Sequence, residues 1–377
     1  MAAIFLPLSG CANFFVNPGT TTSGTSTSTT TNSGDFVYVA NSVAGTTYLS
    51  EYSIGSSVLN SLGSFSLGFI PVALAVAPSN GFLYVASAPG ATSPGVYGYK
   101  ISSTGQLTAL SSSALATATV GAMAISPDGN WLYTVNVDGL TMMQYQVNTS
   151  TGALTSDGAT TLPGTECALS AATPVTQSCS VTVSPSGAFL VASLGISGDV
   201  VYPYTSSGGI SGTGAQEISS GYSVSNPTGD FSVALDANNY AYIARTSTLA
   251  VYGIGTSSIV AEGTLTPPVG SIPRSVTLSK SYNFVYTANE GTSTIAGYGI
   301  SGNGALMAIS GSPFTAPADV TALAADNTGN YMVAVGYDAT SGVRLYSISS
   351  TTGALTPVAQ AGSGTNTDYP ALVAVTH

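Results

Sequence analysis

The sequence predicts an all-β protein, a seven-bladed β-propeller of four-stranded antiparallel blades whose ring is closed by the C-terminal strand. Three observations carry this prediction. A tyrosine motif recurs seven times, an aromatic-led run precedes each copy, and the chain ends on a segment that matches the strand missing from its first repeat. The tyrosines are Tyr52, Tyr99, Tyr145, Tyr204, Tyr252, Tyr298 and Tyr346, about fifty residues apart. Two positions on stand Ile54, Ile101, Val147, Ser206, Ile254, Ile300 and Ile348, so the fourth copy alone lacks the second apolar anchor.

Each repeat reads as four short strands. It begins with an apolar strand such as Val72–Val76 or Ala122–Ile125. A turn such as Ser126-Pro127-Asp128-Gly129 follows, where Pro and Gly supply the backbone angles of a tight reversal. Next comes the aromatic-led run, as in Phe82–Ser87, Trp131–Asn136 and Phe284–Asn289. The tyrosine strand is third. A Thr-Gly turn (Thr104-Gly105, Thr151-Gly152, Thr352-Gly353) leads to a last short strand such as Leu107–Leu110. No stretch sustains a helical period.

The first repeat begins at Asp35 with its second strand and lacks an inner one. The C-terminal Pro370-Ala-Leu-Val-Ala-Val-Thr-His377 matches Pro71-Val-Ala-Leu-Ala-Val-Ala-Pro78, which opens the second repeat. The tail therefore supplies the missing strand and leaves no open sheet edge. An open β-solenoid is the alternative, but its coils are shorter than fifty residues.

Composition narrows the partners. The formal charge is −11, and the five bases Lys100, Arg245, Arg274, Lys280 and Arg344 are dispersed among the repeats. Nucleic acid needs clustered cations and is excluded as a partner. The N-terminal Ile4–Leu8 is apolar, and Leu8-Ser9-Gly10-Cys11 resembles a bacterial lipoprotein signal, although no basic residue precedes it. The expected organisation is a signal over 1–11 ending at a lipidated Cys11, a Ser/Thr/Gly-rich tether over 12–34, and the propeller over 35–377. This places the protein in the cell envelope, lipid-anchored in the outer membrane or facing the periplasm, or secreted, with the lipid as its only membrane contact. Cys167 and Cys179 then remain as a pair. In an oxidising compartment they are expected to close a small loop worth about 2–3 kcal/mol.

Other chemistry is sparse. The single histidine is the terminal His377, so histidine-based nucleophilic catalysis would depend on a chain end. No spacing matches a zinc, calcium or phosphate-binding loop, and neither metal nor cofactor is expected.

From Asp35 to the end the repeats resemble the YVTN-type and lactonase families of seven-bladed propellers, which include bacterial 6-phosphogluconolactonase. The likeness is sharpest over Ile272-Pro-Arg-Ser-Val-Thr-Leu-Ser-Lys-Ser-Tyr-Asn-Phe-Val-Tyr-Thr-Ala-Asn-Glu290. Family members commonly carry Pro-Arg-His there, then an aromatic strand and Asn-Glu. Pro273, Arg274, Asn289 and Glu290 match, whereas Ser275 replaces the histidine. Two functions stay open. The first, favoured by Ser275 and by the lone terminal histidine, is a non-catalytic scaffold whose loop face binds a protein, glycan or small molecule. The second is a lactonase-like hydrolase. For either, antiparallel pairing brings Arg274 and Glu290 to one rim as candidate catalytic residues, with Arg245 and Asn289 as candidate ligand contacts. An ordinary cross-strand ion pair is the plainer reading of Arg274 and Glu290.

Overall fold

The computed structural model describes residues 35–43, 46–137, 140–163, 179–211, 213–218, 230–245, 247–267, 271–281, 283–338, 341–362 and 370–376. The expectations for Cys11, the tether, Cys167 and His377 fall outside these residues.

Within them the chain forms seven antiparallel sheets. Blade 2 is representative, with an inner strand Pro71–Val76, a second strand Phe82–Ser87, a third strand Gly95–Ile101 and an outer edge split into Leu107–Ala109 and Ala116–Thr117. Blades 4 and 6 have a similarly divided outer edge, both pieces pairing with the third strand. Second strands such as Phe82–Ser87 and Trp131–Asn136 are buried along their whole length, because each blade is covered by a neighbour on both faces. This is why they read as continuous apolar runs and not as alternating ones. Outer strands lose that cover, and Leu154–Thr161 is largely exposed.

The core is correspondingly divided. Seven apolar clusters each join two neighbouring blades, including one between blades 7 and 1 around Val37, Val39, Val335, Leu345 and Val375. The motif tyrosines lie in the third strands. Six are buried, and Tyr252 keeps partial exposure.

Ring closure follows the expected pairing. Pro370–Val375 runs antiparallel to Phe36–Val43, with Val37 opposite Val375 and Asn41 opposite Pro370. Thr376 fastens the end: the Phe36 N–H donates to Thr376 Oγ1 at 2.8 Å, and the Thr376 N–H donates to the Phe36 carbonyl at 2.9 Å. Inner strands also bond across blades, as when the Val276 N–H donates to Ser232 Oγ at 3.3 Å. The ring therefore presents one rim where inner strands begin and second strands end, and an opposite rim at the intervening turns.

Candidate active site on the strand-end rim

In blade 6 the inner strand Pro273–Leu278 pairs with Phe284–Asn289, and Pro273 stands opposite Asn289. The register shifts between Pro273 and Ser275, so Arg274 is the extra residue of this strand, and it stands beside Glu290, which opens a short 3-10 turn, Glu290–Thr292, immediately after the second strand. Arg274 Nε pairs with Glu290 Oε2. The Glu290 N–H donates to the Ile272 carbonyl at 2.9 Å and fixes the hairpin mouth. Both side chains stay partly open, at 24% and 18% relative exposure. A ligand can therefore reach them.

Neighbouring blades influence this pair from two sides. The Arg274 guanidinium carbon lies 4.7 Å from the ring centroid of Phe231 in blade 5, within cation–π range. Tyr337, just past the second strand of blade 7, feels both charges. Burial pushes its phenol pKa up, the Glu290 charge adds to the shift and Arg274 opposes it. At neutral pH Tyr337 is a phenol, able to donate its proton in a hydrogen bond. The Tyr337 phenol thus lies within electrostatic reach of the Arg274–Glu290 pair.

Arg245 takes a different role. It ends the second strand of blade 5, opposite Asp230, and is only 7% exposed. Its Nε lies 2.9 Å from Asp230 Oδ1, and its Nη2 donates to Asp230 Oδ2 at 3.4 Å. The guanidinium carbon also sits 5.5 Å from the Tyr252 ring centroid. Asp199, heading the third strand of blade 4, is a second buried carboxyl in the same cluster. Two acids share one cation, so buried neutrality requires one carboxyl to keep its proton. Asp199 carries an upward shift. Burial holds its pKa well above the usual range, the Asp230 charge acts the same way, and Ser193 and Arg245 only partly offset them.

Asn289 is fully buried. Its Nδ2 donates to Thr294 Oγ1 at 3.3 Å, and its Oδ1 accepts from Thr287 Oγ1 at 3.1 Å. Asn136 in blade 3 and Asn41 in blade 1 clip their second and third strands together in the same way, through Thr141 Oγ1 and Ser50 Oγ. The asparagine of the Asn-Glu motif thus secures the hairpin that carries Glu290. Cys179 is buried and disulfide-bonded; Cys167 lies outside the described residues. Among the described residues no group of three His, Cys, Asp or Glu side chains is placed to hold a metal.

The sequence reading missed Phe231, Tyr337, Asp199 and Asp230. Asp230 had a usable signal, because it heads an inner strand where blades 1, 2, 3, 6 and 7 begin with Pro370, Pro71, Val120, Pro273 and Val320. Phe231 and Tyr337 contribute through contacts between blades, which a repeat alignment does not display.

The model of the lactonase seven-bladed β-propeller family matches residues 82–215 and 182–373. The chain belongs to that family. Solved structures with the same fold include a candidate 6-phosphogluconolactonase of Bacteroides uniformis, 15% identical, with a TM-score of 0.71 and coverage of 91% of this chain and 99% of the other. The periplasmic gluconolactonase of Pseudomonas aeruginosa is 14% identical, with a TM-score of 0.61 and the same two coverages. No curated protein matches the sequence.

Proposed function

We propose that the protein is a hydrolase that opens a neutral, sugar-type lactone at Arg274 and Glu290. The observation that carries this reading is the partly open Arg274–Glu290 pair on the rim of a lactonase-family propeller, with Phe231 over Arg274 and Asn289 securing the hairpin that carries Glu290. In the proposed step the Glu290 carboxylate takes a proton from water as its oxygen attacks the lactone carbonyl. Arg274, with the Tyr337 phenol, stabilises the oxyanion that forms. The ring C–O bond then breaks, and the proton held by Glu290 passes to the departing ring oxygen. The product is an open-chain hydroxy acid, whose new carboxyl gives its remaining proton to solvent and pairs with Arg274 as the carboxylate until release.

A neutral substrate is favoured over a phosphorylated one. Arg245, the other rim cation of blades 5 and 6, is already bound to Asp230 and balanced by the Asp199 cluster. A phosphate would meet only Arg274, which must also serve the carbonyl. Proton release measured at constant pH with a neutral sugar δ-lactone and with its phosphorylated counterpart tests the assignment. Faster turnover of the neutral lactone supports it. Rates equal to spontaneous hydrolysis for both would overturn it and favour the non-catalytic scaffold.

The proposal extends to location. Lipid on Cys11 anchors the propeller in the cell envelope through the tether over 12–34. The disulfide at Cys179 fits an oxidising compartment, as does the periplasmic address of the Pseudomonas aeruginosa gluconolactonase. Intact-mass measurement on membrane-derived protein should find a diacylated chain beginning at residue 11. A soluble chain that retains residues 1–10 contradicts the anchor.

A further inference from the structure

A second concavity opens on the same rim, across the ring from Arg274 and Glu290. It is formed by the segment joining blades 1 and 2, the rim loops of blade 2 and Val137 of blade 3, and has a volume of about 760 Å³, within the ~300–1,000 Å³ typical of small-molecule sites. Its floor and walls are Leu67, Phe69, Ile70, Val72 and Val137, with Tyr97 on the third strand of blade 2. Phe69 and Tyr97 are stacked, with centroids 4.4 Å apart and planes 27° from parallel. Thr92, Ser93 and Ser112 are the hydroxyl-bearing residues among the rest of the lining.

The walls are fixed before any ligand arrives. The Leu67 N–H donates to the Thr47 carbonyl at 3.1 Å, the Ala88 N–H to Ile70 at 2.8 Å, and the Val137 N–H to Thr119 at 2.8 Å. The Tyr97 hydroxyl donates to the Ser93 carbonyl at 2.7 Å, which orients the ring and leaves its oxygen free to accept. This prior ordering of the apolar wall lowers the cost of binding.

The lining selects a chemical class by what it can and cannot satisfy. No lining residue carries a formal charge, so a charged ligand would lose hydration without gaining a counter-ion. A plain hydrocarbon would cover the three hydroxyls and strip them of water. A molecule with apolar C–H faces and a hydroxyl-bearing edge satisfies both parts of the wall. We propose that this pocket binds the pyranose ring of a neutral carbohydrate, its C–H face against Phe69 and Tyr97 and its hydroxyls toward Thr92, Ser93 and Ser112. This binding stands apart from the chemistry at Arg274 and Glu290.

Saturation-transfer NMR with methyl glucoside, maltose and cellobiose as probes tests the proposal. Wild-type protein should saturate the ring C–H protons of at least one probe at millimolar concentration. Phe69→Ala and Tyr97→Ala should weaken that binding at least about tenfold, whereas Tyr97→Phe should retain most of it. If either alanine variant fails to fold, Ile70→Arg, at a position 37% exposed, should block the mouth without disturbing the core. Lactone turnover should be unchanged in each folded variant. The proposal is overturned if none of the three sugars receives saturation, or if they bind Ile70→Arg as they bind the wild type. Preferential binding of the neutral hydrocarbon dye N-phenylnaphthylamine over the sugars also overturns it.

Discussion

Asp199 and Asp230 compete for the Arg245 guanidinium, and their competition makes stability depend on pH. Because the Asp199 pKa is raised in the folded state, that state holds the proton more tightly than the unfolded chain. Stability therefore falls as pH rises from the ordinary aspartate range toward the raised value, with a slope of at most about 1.4 kcal/mol per pH unit for this one proton. Glu51, raised by burial against an opposing hydrogen bond from the Leu107 N–H, contributes with the same sign. Asp199→Asn, which resembles the protonated acid, should flatten part of that decline and raise the melting temperature at neutral pH. Identical melting profiles for variant and wild type across pH contradict the assignment. Arg245→Ala leaves two buried carboxyls without their cation. It should cost about 3–5 kcal/mol at neutral pH, and the loss measured by urea unfolding should shrink on acidification as the remaining carboxylate charge is protonated.

At the scale of strands and turns, the repeated Thr-Gly hairpins prove to be joints between blades. Gly105, Gly152 and Gly353 present their carbonyls to Tyr38, Tyr84 and Tyr286 of the preceding blade, whose hydroxyls donate at 2.8, 3.0 and 2.7 Å. Gly152 has φ +75°, and a Cβ there would come within 2.7 Å of both Phe82 Cδ1 and Leu110 Cδ1. Gly152→Ala thus incurs backbone strain and overpacking together and should destabilise by about 2–4 kcal/mol. Tyr84→Phe removes only the buried hydrogen bond and should cost about 1–2 kcal/mol. Thermal unfolding of both variants checks the order, and a larger loss in Tyr84→Phe would contradict it. The sequence marked these glycines as turns and the aromatics as strand starts. It could not show that they meet, because a period reveals what recurs and not which copies touch.

For the molecule as a whole, the blade count, the blade order and the closure by residues 370–376 were legible in the sequence, because each blade repeats one pattern and the two ends complement each other; the divided outer edges of blades 2, 4 and 6 were not. Deleting residues 370–377 should expose the inner edge of Phe36–Val43 and give a lower, broader thermal transition with self-association in size-exclusion chromatography. An unchanged monomeric transition would contradict closure. The site was legible in part. Antiparallel pairing alone brings Arg274 and Glu290 to one rim, whereas the register shift at Arg274, its contact with Phe231 and the influence of Tyr337 appear only in the structure. That composite site is the central functional claim. The most direct test is kcat/KM for a neutral sugar δ-lactone in wild type, Glu290→Gln and Arg274→Lys, with melting temperatures measured on the same samples. We predict turnover above the spontaneous rate in the wild type and a loss of about 10²–10⁴-fold in Glu290→Gln, the range for a general base. Arg274→Lys should lose activity too, since lysine cannot keep the planar contacts with Glu290 and Phe231. Wild-type turnover that survives undiminished in folded Glu290→Gln would contradict the account.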